Sequence, residues 1–99
     1  MTRISVEFVG VLQEFAEKRT MTLKLPASGS DLKVEEVVRE LTNRLPRRLG
    51  EALMDPELLS PRPNALIFVN KQEISALDGL NTKIEENDKL VFIPVSHGG

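Results

Sequence analysis

The chain contains no cysteine and a single histidine, His97. A disulfide framework, a cysteine nucleophile and a thiolate metal site are therefore excluded within it, and any sulfur chemistry has to use another atom. Positive charge is in short supply too. Thirteen Lys and Arg stand against fifteen Asp and Glu, giving a net charge of -2 with both signs scattered. That leaves no basic stripe of the kind nucleic-acid backbones attract, so direct nucleic-acid binding is not expected. The densest basic group, Arg44, Arg47 and Arg48, falls around a helix end, where cations complement the negative end of the dipole. No apolar run reaches the roughly 20 residues a membrane span requires. The opening Met1-Thr2-Arg3-Ile4-Ser5-Val6 alternates at once, without the charged and then apolar regions of a secretory signal; a cytoplasmic protein with no membrane partner is expected. With 40% hydrophobic and 28% charged residues in 99, what remains is a single soluble globular domain.

Hydrophobic periodicity orders the chain. Residues 3–9 alternate, with Ile4, Val6 and Phe8 on one face, which is the period of a half-buried strand. Gly10 breaks it, and Val11, Leu12, Phe15 and Ala16 follow at a short helical spacing. Residues 20–25 alternate again through Met21, Leu23 and Leu25, until Pro26 and the small residues 27–30 end the strand. Asp31 can cap a helix in which Val34, Val37, Val38, Leu41 and Leu45 recur at three- and four-residue steps, with Glu35 and Glu36 early and Arg44 late. Pro46 stops this main helix. Residues 46–63, interrupted by Pro56, Pro61 and Pro63, read as a long connector, with Leu49, Ala52 and Leu53 able to form one short helical piece. A third strand is expected over residues 65–69, a turn at Asn70-Lys71, a weaker strand or corner marked by Ile74 and Leu77, a turn over residues 85–88, and a last strand over residues 89–95. Strands grouped around one amphipathic helix point to an α+β domain with one face of a mixed sheet covered.

The last strand runs into His97-Gly98-Gly99. Glycine lacks a Cβ, so a diglycine end can extend and thread a narrow channel. This order of elements resembles the ubiquitin-like β-grasp: a mixed four- to five-stranded sheet packed on one main helix, with short additional helical turns. More specifically, the chain is similar to the MoaD/ThiS sulfur carriers and the ubiquitin-related modifiers. Val69-Asn70-Lys71, Leu77-Asp78-Gly79-Leu80 and Ile84-Glu85-Glu86-Asn87-Asp88-Lys89-Leu90 carry the resemblance, together with Phe92-Ile93-Pro94-Val95 and the diglycine end. Asn87-Asp88 stands where the family usually has glycine-aspartate, a mild departure because asparagine tolerates left-handed backbone.

The resemblance implies a protein substrate rather than an enzyme, with residues 1–95 forming the body and residues 96–99 a flexible tail. A terminal carboxylate is an anion that resists nucleophiles until it is activated. In the family, an adenylating enzyme of the ubiquitin-activating type, using ATP and magnesium, converts it to an acyl adenylate. A sulfur donor or sulfurtransferase then yields a thiocarboxylate; attack by a lysine of a target protein yields an isopeptide bond instead. Gly99 would carry either product, with Gly98 needed for passage. Fully extended, residues 96–99 span roughly 13–14 Å, enough to enter a cleft. The chain itself is expected to bind no cofactor and no metal, since His97 stands without visible co-ligands; its expected role is contact with the partner. Alternation carried along the last strand from the resemblance turns Leu90 and Phe92 inward and Val91, Ile93 and Val95 outward; in the third strand Ile67 and Val69 face in and Leu66 and Phe68 out. The outward set, with His97, makes a candidate docking patch. Sulfur transfer to tRNA, molybdopterin synthesis and protein conjugation all remain open downstream. So do two alternatives: the small subunit of a molybdopterin synthase bound to its large subunit, and a β-grasp interaction module whose tail does no chemistry.

Overall fold

The computed structural model describes residues 1–26, 32–53 and 65–94. Along the chain these form β1 (Thr2–Phe8), α1 (Val11–Ala16), β2 (Thr20–Leu25), α2 (Val34–Arg44), α3 (Arg47–Leu53), β3 (Ala65–Val69), β4 (Gln72–Glu73) and β5 (Lys89–Pro94), with 3-10 turns at Ile74–Ala76 and Gly79–Asn81. The five strands make one sheet in the order β2-β1-β5-β3-β4. β5 runs parallel to β1, and every other pairing is antiparallel. The mixed sheet and the α+β class are therefore those the sequence predicts, with three helices rather than one plus short turns.

The inner face holds the core. Ile4, Val6 and Phe8 of β1, Leu23 and Leu25 of β2, Ile67 and Val69 of β3, and Leu90 and Phe92 of β5 are all buried. Phe8 and Phe92 are register partners in the parallel pair, and their rings lie 5.7 Å apart in a tilted arrangement, a separation favourable to aromatic pairs. Val34, Val37, Val38 and Leu41 form the buried stripe of α2, while its exposed side carries the Glu35–Arg39 and Glu40–Arg44 ion pairs at 2.8 and 2.6 Å. Such i,i+4 pairs, with the acid on the N-terminal side, favour the helix.

One expectation changes and two are sharpened. Asp31 lies outside the described residues, and the residue that caps α2 is Lys33, whose side chain makes no capping bond. Instead the Val34 amide donates to the carbonyl oxygen of Thr82 at 3.0 Å, so a distant segment satisfies a first-turn donor that local sequence does not. Second, the short helical piece allowed at the start of the connector is α3, which buries Leu49 and Leu53 completely; Leu49 and Leu53 sit one helical turn apart, and Pro46 precedes the helix, where its missing N–H is harmless. Residues 54–64 lie outside the described set. Third, the corner after β4 is a 3-10 turn that buries Ile74 and leaves Leu77 39% exposed.

Three turns depend on unusual backbone. Gly10 has φ 60°, and a Cβ there would come within 3.2 Å of Pro94 Cγ, so β5 closes against a position that glycine suits. Asn70 and Lys71 both have positive φ, 48° and 76°, and join Val69 to Gln72 in a two-residue hairpin. Its signs are those of a type I′ turn. Asn87, at φ 68°, takes the left-handed conformation anticipated for it.

The burial of α3 is directly measurable. Leu49→Ala should cost about 2–5 kcal/mol in a urea titration, as expected for truncating a buried leucine. Leu77→Ala, at an exposed position, should stay within about 0.5 kcal/mol of wild type.

Candidate functional site

β5 lies at the middle of the sheet, and its described residues end at Pro94. Val95, His97, Gly98 and Gly99 themselves lie outside the described residues. The strands that lead to them fix the rest of the candidate site. On the outer face of the sheet Leu66 stands directly opposite Ile93, and Phe68 opposite Val91. Leu66 is 41% exposed, and Phe68, Val91 and Ile93 are half-buried. The structure thus brings these four side chains together across one antiparallel pair, whereas Ile67, Val69, Leu90 and Phe92 face the core. Cross-strand pairs of aromatic and β-branched residues favour the sheet and form a continuous apolar surface.

The rim of this surface is polar. Lys89 Nζ lies 3.1 Å from Glu7 Oε1 on the β1 side. Glu73 is the register partner of Phe68 on the β4 side. A shallow depression of about 450 Å³ is lined by Phe68, Asn70, Lys71, Lys89, Val91 and Ile93. Asn70, Lys71 and Lys89 were not among the sequence candidates. Lys89 is legible by alternation, since it shares a face with Val91 and Ile93; Asn70 and Lys71 reach the site only because the tight hairpin turns them toward it.

Asn70 also fixes the start of β5. Its Nδ2 donates to Asp88 Oδ1 at 2.7 Å, its Oδ1 accepts from the Lys89 amide at 3.0 Å, and its own amide donates to the Lys89 carbonyl at 2.9 Å. Asp88 in turn accepts from the Glu85 amide through Oδ2 at 2.8 Å. These bonds tie the β3-β4 hairpin to the turn that launches β5, so the position of the apolar pairs follows from polar groups at one end.

The basic group expected around the helix end is already matched. Arg44 meets Glu40, Arg47 meets Glu51 at 3.0 Å, and Arg48 lies 3.8 Å from Glu17 with its guanidinium over the Phe15 ring at 5.7 Å. Among the described residues no group of three or more His, Cys, Asp or Glu could hold a metal ion, and no helix is long and apolar enough to cross a membrane.

Sheet order, a main helix on one face and a central last strand leading to a diglycine end define the class: a small ubiquitin-like β-grasp protein. The family model described as Urm1 (ubiquitin related modifier) matches residues 3–99, and the chain belongs to that family, one of ubiquitin-like sulfur carriers and modifiers. It is 26% identical over 99 residues to the ubiquitin-related modifier 1 of Gallus gallus, covering 97% of this chain and 94% of that protein. A shorter stretch of 40 residues is 40% identical to the ubiquitin-related modifier 1 homolog of Bombyx mori, covering 40% of this chain and 37% of that one. The small archaeal modifier protein 1 of Methanosarcina acetivorans superposes with a TM-score of 0.82 at 23% identity, covering 100% of this chain and 98% of its own. Urm1 of Trypanosoma brucei gives 0.75 at 24% identity, covering 99% and 96%. At these identities the two structures speak to the fold.

One rim group has a perturbed charge. The Ser75 hydroxyl and amide both donate to the Glu73 carboxylate, the amide at 3.0 Å, and hold its pKa below the ordinary glutamate range, the side-chain bond contributing most. A lowered folded pKa adds stability that is present above the unfolded value and is lost as pH falls through the folded one. In an NMR titration Glu73 should therefore protonate below the ordinary glutamate range, and Ser75→Ala should bring its midpoint back up.

Proposed function

We propose that this chain is a carrier and modifier activated at its C-terminal carboxylate. The observation that carries the reading is the family match, which runs through to residue 99 and so includes the diglycine end. The Gly99 carboxylate attacks the α-phosphorus of ATP in an adenylating enzyme of the ubiquitin-activating type, with magnesium neutralising the phosphates and pyrophosphate leaving. Displacement of AMP by hydrosulfide from a sulfur donor leaves a thiocarboxylate on Gly99; displacement of AMP by a target lysine amine, with loss of a proton, leaves an isopeptide bond. Sulfur rides on main-chain carbon, so the lack of cysteine is no obstacle. The chain contributes the substrate group and the surface that is recognised, and the enzyme supplies the catalysis. We place this exchange in the cytoplasm.

In this reading residues 96–99 extend from β5 into the enzyme while the body stays outside. Gly98 gives passage, and His97 and Val95 contact the entrance. Leu66, Phe68, Val91 and Ile93 dock the body. Half-exposed apolar side chains paired across two strands, rimmed by Lys71 and Lys89, form a surface of the kind that partners cover. Docking of this patch and threading of the tail are mutually supportive, because β5 supplies both.

Intact mass after incubation with ATP, a cognate activating enzyme and a sulfur source tests the chemistry. The expected product is heavier by the replacement of one oxygen by sulfur, and deletion of Gly99 should abolish it. Persistence of the unmodified mass in the intact chain would overturn the assignment. Docking is tested separately: Phe68→Asp or Ile93→Asp should keep the urea midpoint within about 1 kcal/mol of wild type, since both positions are part-exposed. Each should raise the KM for the activating enzyme about tenfold or more, as expected when a central apolar interface contact is lost.

A further inference from the structure

The opposite side of the sheet carries a second recognition element. β2 is the outermost strand there. The Phe8 amide donates to the Arg19 carbonyl at 2.8 Å, so main-chain groups of Arg19, Met21, Leu23 and Leu25 face β1. In an antiparallel pair the intervening residues point the other way. The β1 side agrees: the Ser5 and Val9 amides donate to Asp88 and Phe92 on the β5 side, each at 3.0 Å. Thr20, Thr22 and Lys24 therefore present their N–H and C=O groups at the open edge, and among the described residues nothing bonds to them.

Charge and shape restrict what can pair there. Lys24 stands directly opposite Arg3, and both side chains are exposed on the outer face. Like charges directly opposite one another disfavour the pairing; the Glu86 carboxylate accepts from the Arg3 amide at 3.0 Å, but among the described residues neither the Arg3 guanidinium nor the Lys24 ammonium is in an ion pair. At the end of the same strand a cleft of about 180 Å³ opens between β2 and α2. Its floor is Leu25 and Leu32, both buried, and its rim carries Glu36, Arg39 and Glu40, of which Arg39 is paired with Glu35 and Glu40 with Arg44.

We propose that the β2 edge binds an extended segment of a partner protein, added as an antiparallel sixth strand, with an acidic side chain flanked by aliphatic ones. Hydrogen bonds to Thr20, Thr22 and Lys24 hold its main chain. The acidic side chain lies beside Lys24 on the outer face and offsets the Arg3–Lys24 repulsion. Its aliphatic neighbours alternate to the inner side, one beside Leu23 and one entering the cleft over Leu25 and Leu32. A second copy of this chain fits less well: the outer-face side chains of β2 are Thr20, Thr22 and Lys24, which bring no carboxylate to the paired cations.

The probe is a blocked peptide, Ser-Val-Glu-Val-Thr-Val-Ser, added to the full chain and followed by amide hydrogen exchange. Exchange should slow at Thr20, Thr22 and Lys24 and stay unchanged at Met21 and Leu23, which are already bonded to β1. Replacing the peptide glutamate by lysine should weaken binding about fivefold, the upper range for a cross-strand charge pair, and Lys24→Glu should reverse that preference. Thr22→Pro removes only an edge donor, not a bond to β1, and should abolish binding with the fold retained. Slowing that rises with protein concentration and needs no peptide would assign the edge to a second copy and overturn the proposal. So would equal affinity for the glutamate and lysine peptides, or shifts confined to Phe68 and Ile93.

Discussion

The structure depends on the insertion of β5 between β1 and β3. Without that strand the chain has two separate units, the β1-β2 ribbon and the short β3-β4 hairpin, and isolated two-stranded units are marginal in water. β5 pairs parallel with β1 and antiparallel with β3, so one strand joins both units and completes the inner surface on which α2 packs. Phe8 and Phe92 meet across the parallel seam. The last strand is thus among the most restrained parts of the molecule, and the position of its end at Pro94 is set by the core rather than by a surface loop.

Polar groups set the register that the core needs. A slip of one residue in β5 would turn Leu90 and Phe92 outward and Val91 and Ile93 inward. Asn70 prevents this by gripping both Asp88 and the main chain of Lys89, and the Asn87 amide donates to the Arg3 carbonyl at 2.7 Å on the other side. The turn before β5 is therefore held from both neighbouring strands. Buried apolar pairs supply the stabilisation, and these bonds select which pairs form.

Strands were the most legible part of the sequence, because alternation reports burial residue by residue: residues 20–25 and 65–69 agree with β2 and β3 to the residue, and the inward and outward sets of β3 and β5 follow the expected faces. The failures share a cause. The capping of α2 by the Thr82 carbonyl, the burial of α3 and the turning of Lys71 toward the patch all depend on segments distant in sequence. The helical spacing of Leu49, Ala52 and Leu53 showed the short helix inside the proline-rich connector, but not that Leu49 and Leu53 would be fully buried. Half of the candidate site was legible in the same way: Leu66, Phe68, Val91 and Ile93 from alternation, but Asn70 and Lys71 only from turn geometry.

The outer face of the sheet divides into two territories. β3 and β5 carry Leu66, Phe68, Val91 and Ile93, whereas β1 and β2 carry Arg3, Ser5, Glu7, Thr20, Thr22 and Lys24. The Glu7–Lys89 ion pair bridges the boundary strand to strand. An exposed pair of this kind contributes little stability, but it prevents an apolar partner from spreading onto β1, because covering it would strip water from both charges. Under the docking proposed above, an apolar partner is thereby confined to β3 and β5. The β2 edge lies beyond β1, so the two surfaces proposed for partners do not overlap. The separation is built from the alternation of two strands and one ion pair.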